Sequence, residues 1–244
     1  MNLRRTLATT QRIFGQLRHD RRTVAMMIGL PALLIILMRY VFNSQLVFEH
    51  VAPSLLGIFP FIVMFLITSV AMLRERTSGT LERLMAMPIG KLDLLLGYGL
   101  AFGTFAVIEV ALVTALAVTW LGLTIAGPLA LLVLVATLDA LLGMALGLFV
   151  SAFARTEFQA VQFMPLIAAP QILLCGLFVA RDQMATVLLW LSDVMPLSYA
   201  VDAVKILAAS PTVTAELVRD IVVVAGCVVL ALTLGATTLR RRTP

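Results

Sequence analysis

Pro128-Leu129-Ala130-Leu131-Leu132-Val133-Leu134-Val135-Ala136-Thr137-Leu138-Asp139-Ala140-Leu141-Leu142-Gly143-Met144-Ala145-Leu146-Gly147-Leu148-Phe149-Val150-Ser151-Ala152-Phe153 is one apolar run holding a single charge, Asp139. A helix needs roughly 20 predominantly apolar residues to cross the hydrocarbon of a bilayer, and this run supplies them. Composition points the same way. The 244-residue chain is 61% hydrophobic and 13% charged, with a mean hydropathy of +1.05. Soluble domains are about 45–50% apolar and about 25% charged. So little polar surface excludes a cytosolic enzyme, a secreted disulfide scaffold and a disordered chain.

Five more runs flank this one. Val24–Phe42, Leu55–Leu73, Leu94–Leu121, Val161–Val179 and Ile221–Leu239 each have the length and character of a span. Pro53 and Pro60 sit at the entry to the second. Pro165 and Pro170 lie inside the fifth, which predicts a bent helix there. The fold expected is an all-α membrane protein with six transmembrane helices. Residues 1–22 form a separate N-terminal segment and residues 23–244 a six-span domain. No cleavable leader is expected, because no small-residue cleavage site follows the first run.

Basic residues orient the spans. With both termini cytoplasmic, the inner side holds Arg4, Arg5, Arg12, Arg18, Arg21, Arg22, Arg74, Arg76, Arg83, Lys91, Arg155 and Arg240 to Arg242. The outer side holds only Arg181, Lys205 and Arg219. Arg39, near the outer end of the first span, is expected to reach the headgroups.

Three segments between the spans are not plain loops. Leu3, Leu7, Thr10, Phe14 and Leu17 follow helical spacing among basic residues, which predicts an amphipathic helix in the membrane interface. Arg74–Lys91 reads RERTSGTLERLMAMPIGK. Here Thr77 or Ser78 can cap a helix, Leu81, Leu84 and Met85 form an apolar stripe, and Pro88 with Gly90 stops it. The expected product is a two-turn cytoplasmic helix over Thr77–Met87. Its stripe needs a lipid interface or a groove in another protein, since two turns alone are unstable in water. In the third segment, Met184–Leu191 and Met195–Ala209 are too short to span. They are expected as re-entrant or interfacial helices at the outer leaflet, with Trp190 and Tyr199 at interface depth.

Glu109 and Asp139 lie inside spans at similar depth. A charge at the bilayer centre costs about 2.5–3.5 kcal/mol on insertion scales, so such residues face the bundle interior. One reading is a site for a cationic substrate or a proton. The other is a pair of protonated carboxyls hydrogen-bonded to Thr104, Thr137 or backbone. Gly99-x-x-x-Gly103 and Gly143-x-x-x-Gly147 let helices approach closely and are expected to pack the two adjacent spans on each other. Cys175 and Cys227 show no metal spacing, and His19 and His50 have no partner cluster, so neither a metal site nor a catalytic constellation is expected.

The stretch Glu75-Arg76-Thr77-Ser78-Gly79-Thr80-Leu81-Glu82-Arg83-Leu84, followed by Pro88, resembles the signature after the second span of ABC-2 type transport permeases. Met195-Pro196-Leu197-Ser198-Tyr199 is similar to that family's second recurrent patch. The absence of a large extracellular insertion resembles the daunorubicin/doxorubicin-resistance type of drug-export permease. The resemblance implies a half-transporter that pairs with a second copy or a similar permease. It also implies a separate ATP-binding subunit, which holds ATP and Mg, on the cytoplasmic face of a bacterial inner membrane. Under it the short helix is a coupling helix, and Glu75, Gly79, Thr80, Leu81, Glu82, Leu84, Met85 and Pro88 are its ATPase-coupling residues. The implied activity is export of an amphipathic drug-like or lipid substrate, with lipids but no nucleic acid as further partners.

The chain carries no phosphate-binding loop of its own. Its Gly90-Lys91 pair has Met85 where the first glycine belongs and Leu92 where Ser or Thr belongs. Energy must therefore come from another chain or from an ion gradient. The rival reading is a proton-coupled secondary transporter that uses Glu109 and Asp139.

Overall fold

The computed structural model describes residues 3–86 and 90–238. Among them are ten α-helices and no strand: α1 (Leu3–His19), α2 (Arg21–Phe42), α3 (Gln45–Thr77), α4 (Thr80–Ala86), α5 (Lys91–Thr119), α6 (Leu129–Val150), α7 (Glu157–Leu174), α8 (Thr186–Val194), α9 (Pro196–Ala209) and α10 (Ala215–Thr238). Five of these helices are long and apolar enough to cross a membrane: α2, α3, α5 from Asp93, α6 and α10. The helix α7 covers the expected fifth span but stops at Leu174. It is shorter than the other five and holds Gln159, Gln162 and Gln171 as well as its two prolines. A sixth crossing by length exists only if α8 and α9, bent by 90° at Met195, count as one.

The expected first span lies within α2, and the N-cap carboxylate of Asp20 accepts from the Thr23 amide at 3.1 Å. The helix α3 runs far beyond its apolar stretch on both sides and takes Pro53 and Pro60 into its body. The helix α10 starts ahead of the expected sixth run because the Thr214 hydroxyl accepts from the Leu217 amide. Arg219 therefore belongs to the helix and not to the preceding loop.

The centre of the bundle is the α3–α6 pair. Gly143 and Gly147 make it possible. A Cβ at Gly143 would run into the Phe61 carbonyl of α3, and one at Gly147 would come within 2.5 Å of the Phe65 carbonyl. The backbones touch, and the Thr68 hydroxyl of α3 donates to the Met144 carbonyl of α6 at 3.2 Å. The two adjacent spans, α5 and α6, do pack on each other as expected, though not motif against motif. The α5 motif does face α6, with Gly103 against Leu141 and Gly99 near Met144, but the α6 motif faces α3.

The face that α1 buries also differs from expectation. Thr6, Thr9, Thr10, Ile13 and Leu17 are inside, while Leu3 and Leu7 are exposed. The cause is Gly97 on α5. Thr9 packs where that residue has no side chain, with only 2.6 Å left for a Cβ, and the Thr10 hydroxyl donates to the Gly97 carbonyl at 3.3 Å.

At the opposite end, α9 buries Leu197, Val201, Val204 and Leu207 among α3, α6 and α10. Its apolar face is covered by the chain itself and not by lipid as expected. The α5–α6 connection is fastened to it by Ala126 and Gly127 amides donating to the Ala208 and Leu207 carbonyls. The helix α8 does turn an apolar face outward, with Val187, Trp190, Leu191 and Val194 exposed. Arg181 pairs with Asp193 and Asp202, and its guanidinium lies 5.6 Å from the Tyr199 ring centroid. These contacts hold α8 against α9. Near the C-terminal end of α2, Arg39 sits over the Phe48 ring at 5.7 Å.

Candidate functional site: the α3–α4 corner and the intramembrane acids

The α3–α4 corner is built by one residue. Thr77 ends α3, the Ser78 amide donates to the Arg74 carbonyl and the Gly79 amide to the Arg76 carbonyl, and Gly79 turns the chain at φ +72°. Only glycine adopts that conformation without strain. The short helix then starts at Thr80 and not at Thr77. Thr77 and Ser78 terminate the helix before it instead of capping this one.

The residues of α4 divide by side. Leu81 and Leu84 are buried, in one cluster with Ile13 and Leu17 of α1, Met72 of α3 and Leu94 of α5. The apolar stripe is thus covered by the chain's own helices, which is how a seven-residue helix stays folded. Glu82, Arg83 and Ala86 are exposed, and Gly79 and Thr80 are half-buried. Met85 lies on α4, and Pro88 lies outside the described residues. What α4 offers to a partner is a polar ridge around Glu82 and Arg83.

Glu75 is not on that ridge. It is 9% exposed and faces α1. Both of its oxygens accept from the Arg12 guanidinium, at 3.2 and 3.3 Å, and Gln16 donates a third bond at 3.3 Å. Arg12 also donates to the Tyr98 hydroxyl of α5 at 3.2 Å. Consecutive helical residues point about 100° apart, and the neighbours of Glu75 use that angle. Arg74 pairs with Glu157 of α7 through two bonds of 2.7 and 3.0 Å. Arg76 donates to the Ser151 carbonyl at the end of α6 at 3.3 Å. Three successive side chains at the root of α4 thereby grip α7, α1 and α6. The motif is legible in the sequence, and these partners are not. The signal was there in the Arg-Glu-Arg triplet, three charges in a row where a helix must send each a different way.

Glu109 and Asp139 are both fully buried, Glu109 on α5 and Asp139 on α6. Neither is hydrogen-bonded to the other or to anything else among the described residues. The expected hydroxyl partners are not used: Thr104 is exposed and donates to its own helix at Leu100, and the Thr137 hydroxyl is itself unpartnered. Asp139 faces α3 at Gly57, where a Cβ would stand 3.1 Å from its Oδ2. Ser54, one turn before Gly57 on α3, has a buried hydroxyl with no partner. Buried polar groups are ordinarily satisfied. Among the described residues, no group of three His, Cys, Asp or Glu is arranged to hold a metal ion.

With this geometry in hand, comparison with known proteins defines the class. A family model described as ABC-2 type transporter matches residues 4–208, and the chain belongs to that family. Relatives include Probable multidrug ABC transporter permease YbhS of Escherichia coli K12, 27% identical over 84% of this chain and 55% of that protein. Probable multidrug ABC transporter permease YbhR of the same organism is 27% identical over 67% of this chain and 45% of that protein. ABC transporter G family member 20 of Dictyostelium discoideum is 25% identical over 67% of this chain and 22% of that protein. The chain thus spans about half the length of the two bacterial relatives, and less of the third. It is a multi-pass membrane protein whose described residues are nearly all helical.

Proposed function

We propose that this chain is the transmembrane permease subunit of an ATP-driven exporter of a bacterial inner membrane, with both termini cytoplasmic. It works with a separate ATP-binding subunit, which holds ATP and Mg, and with a second permease copy. It has no ATPase site of its own. The observation that carries this reading is the construction of α4. Its leucines are rooted in the chain's core while Glu82 and Arg83 point outward. Its root is tied to α1, α6 and α7 by Glu75, Arg76 and Arg74. A displacement applied to the exposed ridge therefore moves several helices together, as a rigid coupling element must. Under this reading Gly79, Thr80 and Glu82 serve coupling at the surface. Leu81, Leu84 and Glu75 serve it from within.

The bias of basic residues supports the orientation. The two arginines on the α8–α10 side are moreover ion-paired, Arg181 with Asp193 and Asp202 and Arg219 with Asp220, as Arg12 and Arg74 are on the other side. The α7 helix then makes the remaining crossing, and α8 with α9 returns as a hairpin at the outer side. The substrate class follows the relatives named as multidrug permeases, an amphipathic drug-like or lipid molecule. A second reading, a proton-coupled transporter, is favoured by the unpartnered carboxyls of Glu109 and Asp139.

The test is co-purification with any phosphate-binding-loop protein encoded beside the chain, followed by an ATP hydrolysis assay. A complex of two permeases and two ATPases that hydrolyses ATP is expected, and Glu82→Arg should lower its capture without unfolding the spans. A chain that purifies alone and transports in proportion to a proton gradient would establish the second reading instead.

A further inference from the structure

Between α1, α2 and α5 lies a groove of about 920 Å³. Phe14 and Phe105 meet in it with ring centroids 5.5 Å apart, and Val24 and Ile28 of α2 line it further. Two glycines keep it open: a Cβ built at Gly15 or at Gly29 meets nothing within 4 Å. The lining changes along its length. Nearest the α1–α2 junction it is formed by Arg18 and Arg21, both exposed. Among the described residues neither has a carboxylate within salt-bridge distance. Seven residues further along α2, about 10 Å at 1.5 Å per residue, it is wholly apolar at Ile28 and Gly29.

The helix α2 crosses the membrane starting from this junction. The two cations therefore stand at headgroup depth and the apolar part at acyl depth. We propose that the groove binds an anionic phospholipid, its phosphate between Arg18 and Arg21 and one acyl chain along Val24, Ile28 and Phe105. Charge complementarity selects the anionic class. A zwitterionic headgroup brings its own cation beside two arginines that already lack a counter-ion, whereas a net negative headgroup supplies that counter-ion. The site lies outside the α3–α4 corner and does not depend on the direction or the cargo of transport, so its failure and that of the exporter reading are separate.

The test uses the full chain, purified and delipidated, with phosphatidylglycerol or phosphatidylcholine of identical acyl chains added back. Bound lipid is counted by native mass spectrometry, and the thermal midpoint is followed in parallel. We expect one retained phosphatidylglycerol per chain, a raised midpoint, and a preference over phosphatidylcholine of about thirtyfold, the scale set by two surface arginines. Arg18→Gln with Arg21→Gln should abolish the preference and leave phosphatidylcholine binding as it was. Gly29→Leu, which fills open space on an exposed helix face, should remove the retained lipid with the lipid-free midpoint unchanged or raised. Equal retention of both lipids by the native chain, or a preference that survives the double Gln variant, overturns the proposal. So does a Gly29→Leu variant that loses a dimer and keeps its lipid, since the occupant is then a second copy.

Discussion

Arg12 and Glu75, 63 positions apart in the chain, form a forked ion pair that fixes the first helix to the root of the α3–α4 corner. The carboxylate is almost fully enclosed and the guanidinium is about a quarter exposed. Both ends have further polar partners, Gln16 on one and Tyr98 on the other. The pair thus belongs to a network joining α1, α3 and α5, and α4 is seated on the same three helices.

Removing one member should cost more than removing both. Arg12→Ala leaves a buried carboxylate with Gln16 alone and should destabilise the protein by about 2 kcal/mol or more. Adding Glu75→Gln to it should recover part of that loss. A double-mutant cycle on thermal or chemical unfolding in detergent measures the coupling, expected at about 1 kcal/mol or above. Additive effects would mean that the two side chains do not act as a pair.

The α3–α6 contact predicts unequal tolerance among three glycines. Gly143→Ala and Gly147→Ala force carbon against α3 backbone and should each cost about 1–3 kcal/mol, with loss of folded yield. Gly99→Ala meets only Met144 Cε, at 3.9 Å, and should be neutral or slightly stabilising. Fluorescence-detected size exclusion and thermal midpoints read the difference.

Asp139→Asn and Glu109→Gln keep the shape and remove the ionisable group. Since neither carboxylate has a partner, both variants should fold with an unchanged or raised thermal midpoint. If Asp139 meets a cationic substrate, its Asn variant should lose export of cations by about tenfold or more, the scale of one charge-assisted hydrogen bond, while neutral substrates continue to move. Equal loss for both substrate types would make Asp139 a packing residue.

The Asp20 cap predicts an acid sensitivity confined to the α1–α2 junction. Hydrogen bonds from the Thr23 hydroxyl and amide hold its carboxyl below the usual carboxylate range. A group with a depressed folded value stabilises above its unfolded pKa of about 3.9 and loses that contribution as pH falls further. Hydrogen exchange at Thr23 and the following amides should therefore accelerate below about pH 4, and in Asp20→Ala at every pH, by the equivalent of about 1 kcal/mol.

Much of the architecture was legible because the bilayer imposes a length. Apolar runs located α2, α3, α5, α6 and α10, although α3 and α10 begin well ahead of their runs, and glutamine and proline set α7 apart from them. The corner after α3 was legible as a motif, and Gly79 as its turn. Less legible was what α4 rests on. Leu81 and Leu84 mark an apolar side, but whether lipid, a partner or the chain itself covers that side depends on where α1 and α5 pass.

The sequence by itself determined a nearly all-helical, multi-pass membrane protein of the ABC-2 type, the place of five of its candidate spans and the identity of its two buried acids. Only the tertiary structure decided which faces meet. Thr6, Thr9 and Thr10 go inside in place of Leu3 and Leu7 because Gly97 lets α1 approach α5 closely. The Gly143 motif seats on α3 and not on α5 because the carbonyls of Phe61 and Phe65 occupy the space its missing side chains leave. The physical reason is common to both cases. Lipid tails are as apolar as a protein interior, so hydropathy cannot tell a helix face that touches lipid from one that touches its neighbour. That choice is made by close backbone packing and by a few hydrogen bonds between residues far apart in the chain.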